Sequence, residues 1–233
     1  MATSVDTNRL TSSAERADRL RRRGLAAGAF TGPVGLLIAN ALYAYATKDG
    51  GSDATGAETL ALIVAHPTAT RFATLAAALG SLLMVPAVLA AIRVIGSGRS
   101  AKLGFIGGTL AAGGYICYFG VNLAGLIALS MAKYGGPTAD FAAVIDDSQG
   151  GDPAFAWVFP LFILGNLVGI FLLGLALLRS RTVPVLAAAG VMSWPPLHIL
   201  GLFVLGNEYP EVVGGAFLVV AFGVIGVRLL RGR

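Results

Sequence analysis

Met192 to Glu211, MSWPPLHILGLFVLGNEYPE, places acid–base side chains within an otherwise apolar stretch. Trp194, the Pro195-Pro196 pair and His198 occupy its first half, and Asn207, Glu208, Tyr209, Pro210 and Glu211 close it. Carboxylates at such a position can act as general acids, which makes Glu208 and Glu211, with His198, candidate catalytic residues. Neither proline carries an N–H, so the carbonyls of Val191 and Met192 lose their helical partners and a break in the helix is expected there. Hydrocarbon offers no water to replace those partners, so the break must face protein or a wet cavity. Trp194 and His198 are four residues apart and share one helical face.

Other polar side chains interrupt the apolar stretches at comparable depth. Asn40 and Tyr43 fall in one stretch, Tyr118 and Asn122 (four apart, hence on one face) in another, and Asn166 in a third. Polar groups are costly in lipid and turn inward. Together with Trp194, His198 and Glu208 they predict an outward-opening pocket, apolar with a few fixed polar groups. The competing reading is that these amides and phenols join helices by hydrogen bonds worth roughly 0.6 kcal/mol each.

Asp146 and Asp147 open a third candidate group, Asp146-Asp147-Ser-Gln-Gly-Gly-Asp152. Its spacing is similar to the aspartate-rich motif by which prenyl diphosphate enzymes hold magnesium, and paired carboxylates suit a hard cation bridging diphosphate oxygens. Gly150-Gly151 would break the helix that presents such a motif, so a solvated loop is the simpler expectation and no metal site is assigned. His66 and His198 are the two histidines, too few for a histidine-rich metal site. Catalytic zinc usually takes three protein ligands, which here would have to be His66, His198 and an outer carboxylate brought together by folding. Gly96-Ser-Gly98-Arg-Ser-Ala101 fits the dinucleotide fingerprint as a pattern, but no strand precedes it, and a tight turn is expected instead. No cofactor is expected.

The elements that position these residues follow from composition. The chain has 233 residues, 56% hydrophobic and 12% charged, with 32 glycines and a mean hydropathy of +0.78. A soluble domain carries roughly 25% charged residues, so this chain lacks the polar surface to coat a globule. Six apolar spans, roughly 25–46, 71–95, 103–131, 153–178, 183–206 and 210–229, approach or exceed the roughly 20 residues needed to cross a bilayer. The expected fold is an all-α polytopic bundle in the cell membrane, a multi-pass protein.

Of the 17 Lys and Arg residues, Lys48, Arg71 and Lys133 fall between spans on one side and the rest fall on the other. The bias puts both termini in the cytoplasm. The net charge of +5 is thereby taken up by membrane topology, and nucleic acid is not an expected partner. One cysteine, Cys117, excludes an intrachain disulfide.

Residues 1–23 carry six arginines, with Leu10, Ala14, Ala17 and Leu20 recurring at helical spacing. Ser12 with Glu15 reads as a capping box opening a helix. The segment is expected to be a cytoplasmic amphipathic helix bound to anionic lipid headgroups, retained in the mature protein, with 24–233 forming the six-helix domain. Lys48-Asp49-Gly50-Gly51 and Lys133-Tyr134-Gly135-Gly136 precede two short apolar segments, 58–65 and 140–145. Half-helices are expected at both, in a weak parallel repeat of helical hairpins. Gly24, Gly28 and Gly32, Gly104 with Gly108, and Gly165 with Gly169 let backbones approach closely, either within the bundle or against a second copy of the chain.

The layout of six spans, an outer helix after the first and glycine-rich helices resembles that of small bacterial, especially actinobacterial, integral membrane proteins of unknown function. The resemblance implies no activity. Three functions remain open from the residues: a pocket for a small or lipophilic ligand, an enzyme acting on a lipophilic, isoprenoid-like substrate through an outer carboxylate, and an accessory subunit.

Overall fold

The computed structural model describes residues 4–136 and 138–232, with side chains described from Ala14 onward. It is all-α, with no strand among the described residues. Helix α1 (Ser4–Thr47) contains the first span, Ala14–Thr47. α2 (Gly56–Ala65) is short, α3 (Pro67–Ile95) and α4 (Ala101–Gly135) are spans, and α5 (Ala139–Asp146) is short again. Three more spans follow: α6 (Val158–Ser180), α7 (Val185–Leu205) and α8 (Tyr209–Arg231). The chain is an integral membrane protein by the length and apolarity of these six helices.

The spans close into a ring: α1 packs on α3, α3 on α4, α4 on α6, α6 on α7, α7 on α8, and α8 returns to α1. Glycine sets the closest approaches. A methyl group built on Gly35 would lie 2.7 Å from the Gly80 Cα, and one on Gly114 would lie 2.7 Å from the Gly165 Cα, both backbone atoms that cannot step aside. Gly28 and Gly32 pack on Pro86 and Leu83, and Gly104 and Gly108 on Ile95 and Ile92, whereas Gly24 has no neighbour within 4 Å. Most of the expected small-residue faces are therefore spent inside the bundle. Large apolar side chains such as Phe72, Leu79, Phe105, Ile127 and Val220 face outward, as a lipid-exposed surface requires.

Arginines mark one end of the ring. Asp18 on α1 pairs with Arg93 at the end of α3 and, at 3.0 Å, with Arg22 one turn further on. Arg22 in turn lies beside Gly232 beyond α8, so α1 and the C-terminal end of α8 meet there. The opposite end is closed by α2 and α5, the two half-helices expected from sequence. Thr55 and Glu58 form a capping box that starts α2, and the Thr138 hydroxyl caps α5. The short helices pack on each other and on α4 through Leu60, Ile63, Ala128, Ala142 and Ile145.

Two expectations about helix ends are corrected. α1 runs unbroken from Ser4, so Ser12 lies inside a helix and does not cap one; once the helix begins upstream, the N–H groups a cap would satisfy already have carbonyl partners. Pro195 and Pro196 do not break α7 either: α-helical geometry continues from Val185 to Ile199. The irregularity falls one turn later, in a π-helical turn at Leu200–Leu205, with a second one at Leu164–Gly169 in α6. Helix-interior proline costs the bonds to Val191 and Met192, but its fixed φ is itself helical, and the buried Pro195 packs within the bundle.

Candidate functional site

Five of the six spans converge on one cavity near the α2–α5 end. It is lined by Leu36 and Asn40 of α1, Tyr115 and Tyr118 of α4, Phe162 and Asn166 of α6, Trp194 and His198 of α7, and Glu211 of α8. Its volume is about 30 Å³, room for about two waters at the ~10–15 Å³ that each requires. Asn40 lies seven residues before the end of α1, about 10 Å along the axis at 1.5 Å per residue.

The helices present these residues as neighbours one turn apart. Leu36 precedes Asn40 by four residues, Tyr115 precedes Tyr118 by three, Phe162 precedes Asn166 by four and Trp194 precedes His198 by four, each pair sharing a face. The π turn in α6 places Gly165 against Gly114 while its neighbour Asn166 lines the cavity; such turns recur at functional sites. Phe162 stacks on Tyr118 with centroids 4.5 Å apart and planes 10° apart. The Trp194 and His198 rings lie 5.7 Å apart.

Glu211 is the deepest carboxylate, 6% exposed, in the first turn of α8, where the helix dipole favours negative charge. Its Oε1 lies 2.8 Å from His198 Nδ1. The approach is close without being aligned, because neither atom has a partner that meets the directional requirement of a hydrogen bond. The distance carries the electrostatic contact; the hydrogen bond is not formed in this geometry. Asn40 Nδ2, Tyr115 OH, Asn166 Oδ1 and Trp194 Nε1 are likewise buried without partners, and with the His198 and Glu211 atoms they make up the buried unpartnered side-chain polar atoms among the described residues. All six belong to the cavity lining.

The other expected site residues lie around this centre. Tyr43 sits one turn beyond Asn40, facing Asp53 and Glu208 instead of the cavity. Asn122 donates its side-chain amide to the Tyr118 carbonyl one turn back in the same helix, at 2.8 Å, and so joins no second helix. Glu208 precedes α8, half-buried, without a capping bond. Burial, and next the Glu211 carboxylate beside it, push its carboxyl up from 4.5 to about 8.

Asp146 accepts the Gly56 N–H at 2.6 Å, tying α5 to the start of α2. Asp147 opens a turn in which Gly150 takes φ of 120°, the helix break expected from Gly150-Gly151. Asp152 accepts from the Ala154 N–H at 2.7 Å. No group of three or more His, Cys, Asp or Glu able to hold a metal occurs among the described residues. His66 stands at the junction of α2 and α3 with its ring on Tyr45, away from His198. Gly96 and Gly98, both at positive φ, form the expected tight turn.

Leu36, Tyr115, Phe162 and the inward placement of Glu211 were not read from sequence as pocket-lining. The signal was present: three of them stand one turn before a residue that was. Comparison with family models, with curated proteins and with solved structures found no match to this chain.

Proposed function

We propose that this chain is a membrane protein that binds a small polar ligand in the chamber between α1, α4, α6, α7 and α8, reached from the α2–α5 end, which faces outward. One observation carries the reading: every buried unpartnered side-chain polar atom among the described residues lines the same chamber. Setting aside the His198–Glu211 contact, four such groups left uncompensated would cost about 4–12 kcal/mol at about 1–3 each, comparable to the stability of a whole domain. A small hydrogen-bonding guest offsets that cost.

The lining supports a guest that both donates and accepts. Trp194 Nε1 donates only, Asn166 Oδ1 accepts only, and the Tyr115 hydroxyl does either. The indole donor argues against a bare metal cation. Size argues against an isoprenoid, since a prenyl chain would not enter about 30 Å³ without parting the helices. The enzyme reading retains one support, the protonated Glu208 at neutral pH, which suits a general acid.

Trp157 is 61% exposed and Trp194 4%, so Trp157→Phe leaves a single indole that reports on the chamber. Titrating this variant in detergent with formamide and farnesol separates the readings. A saturable change in Trp194 emission with formamide, lost in Asn166→Leu, is expected. A saturable change with farnesol alone would overturn the reading in favour of a lipophilic ligand or substrate. Silence with both would overturn it.

A further inference from the structure

We propose that His198 and Glu211 hold one exchangeable proton between them, loaded from the α2–α5 end through Glu208. The inference rests on the polar-chamber reading and names what the chamber handles.

Geometry supplies a graded path. Asp53, in the segment after α1, is exposed; Glu208 is half-buried; Glu211 is buried; and His198 stands on the cavity. Glu208 and Glu211 are three residues apart across the first turn of α8, hence on one face, and their carboxyls lie within reach of each other, with Asp53 near enough to act on both Glu208 and Tyr118. From Glu211 the last step is the 2.8 Å to His198 Nδ1. A rotation of the imidazole that brings the N–H into line completes the bond.

The charge arithmetic favours a proton as the loaded species. With neutral imidazole, the pair carries one net negative charge, buried and without a cation, since no Lys or Arg lines the cavity. Adding one proton makes the pair neutral overall, as imidazolium with carboxylate. An unpaired buried charge costs several kcal/mol more than a compensated one. No electron moves and no bond breaks other than O–H and N–H. The titratable groups facing the pair from other elements are Tyr115 and Tyr118 of α4, with Tyr43 of α1 and Asp53 further out beside Glu208. None of these supplies a positive charge, so the proton is the means of neutralisation within the site. Ionisable residues inside a bundle and arranged in series are the usual hardware of proton transfer across part of a membrane.

The Trp194–His198 ring separation of 5.7 Å provides the assay, because imidazolium quenches a neighbouring indole and neutral imidazole does so far less. The full chain carrying Trp157→Phe is reconstituted into vesicles of phosphatidylcholine and phosphatidylglycerol, and the medium is jumped from about pH 9 to about pH 5, a span that brackets imidazole titration. Trp194 emission should fall rapidly, and the fall should vanish in His198→Gln. Glu208→Gln should reach the same final emission about a hundredfold more slowly, the lower end of what a positioned proton-transfer group contributes. Glu208→Asp, which keeps a carboxyl, should restore most of the rate and shows that the Gln effect is not misfolding. Emission indifferent to pH, a fall that persists in His198→Gln, or a wild-type rate in Glu208→Gln would each overturn the proposal. A formamide response without a pH response would overturn the proton route and leave the ligand chamber. The reverse pattern would leave the proton as the chamber's sole occupant.

Discussion

Glu208→Gln tests the electrostatics of the site without removing a structural contact. Glu208 is the residue before α8, and its side chain makes no capping bond, so an amide of the same shape costs the helix little. In the folded protein its carboxyl is pushed from 4.5 to about 8, first by burial and next by Glu211. A raised carboxyl binds its proton in the folded state at pH values where the unfolded chain has lost it. Stability is therefore greatest below about 4.5 and falls as pH rises to about 8. At about 1.36 kcal/mol per pH unit the ceiling is ~5 kcal/mol. Glu208 is only half-buried, and solvent screening reduces this to about 1–2 kcal/mol. For a chain of this length, each kcal/mol moves the melting temperature by about 2–4 °C. Wild type in detergent should then melt about 2–8 °C lower at pH 9 than at pH 5, using the same conversion. Glu208→Gln should show a flatter profile and exceed wild type at the alkaline end. Parallel curves for the two proteins would refute the reasoning, since the loss with pH would then come from another group.

Four further outcomes follow from the packing and the charge distribution. Gly165→Ala, whose methyl would meet the α4 backbone, should destabilise by about 1–3 kcal/mol, whereas Gly113→Ala, inside α4 with nothing within 4 Å, should not lower the melting temperature, since alanine is the better helix former. Asp146→Ala removes the acceptor of the Gly56 N–H and should cost about 1.5–3 kcal/mol, read as a lower melting temperature and faster proteolysis between α2 and α5. With the buried Cys117 replaced by alanine, a cysteine at Gln149 should react with an impermeant maleimide on intact cells and one at Ser97 should not; the reverse would invert the membrane orientation. A peptide of residues 1–23 should bind phosphatidylglycerol vesicles with about 1 kcal/mol per basic residue near the surface, and salt should release it.

What sequence disclosed and what it concealed divide along physical lines. Spans are legible because hydrocarbon demands about 20 apolar residues whatever the neighbours are, and the ends of α3 to α8 fall within a few residues of the apolar runs. The half-helices were legible because Gly-Gly followed by a short apolar segment punctuates the chain locally. Asn166, Trp194 and His198 were legible because a polar side chain in lipid must turn inward. Tyr115 and Phe162 were not singled out, since an aromatic residue in an apolar run carries no cost that demands an explanation. Asn122 shows the converse: its sequence signal is the same as that of Asn166, but its amide donates to a backbone carbonyl one turn back and is satisfied locally.

Glu211 stands only three positions beyond Glu208, and depth counted along one chain segment places both near the surface. Depth within a bundle is set by what surrounds a helix end. Gly201 packs closely on the turn before α8, where a methyl would lie 2.8 Å from the Asn207 carbonyl oxygen, and the Glu211 stem lies beside it. The π turn that begins at Leu200 brings Gly201 to that place and leaves His198 beside the Glu211 carboxylate. The prolines contribute upstream, where Pro195 is buried in the bundle and Trp194 is held at 4% exposure. The unusual chemistry of this stretch thus arises after the prolines, where a widened turn meets the start of α8 and leaves an acid and an imidazole facing each other in a space of water size.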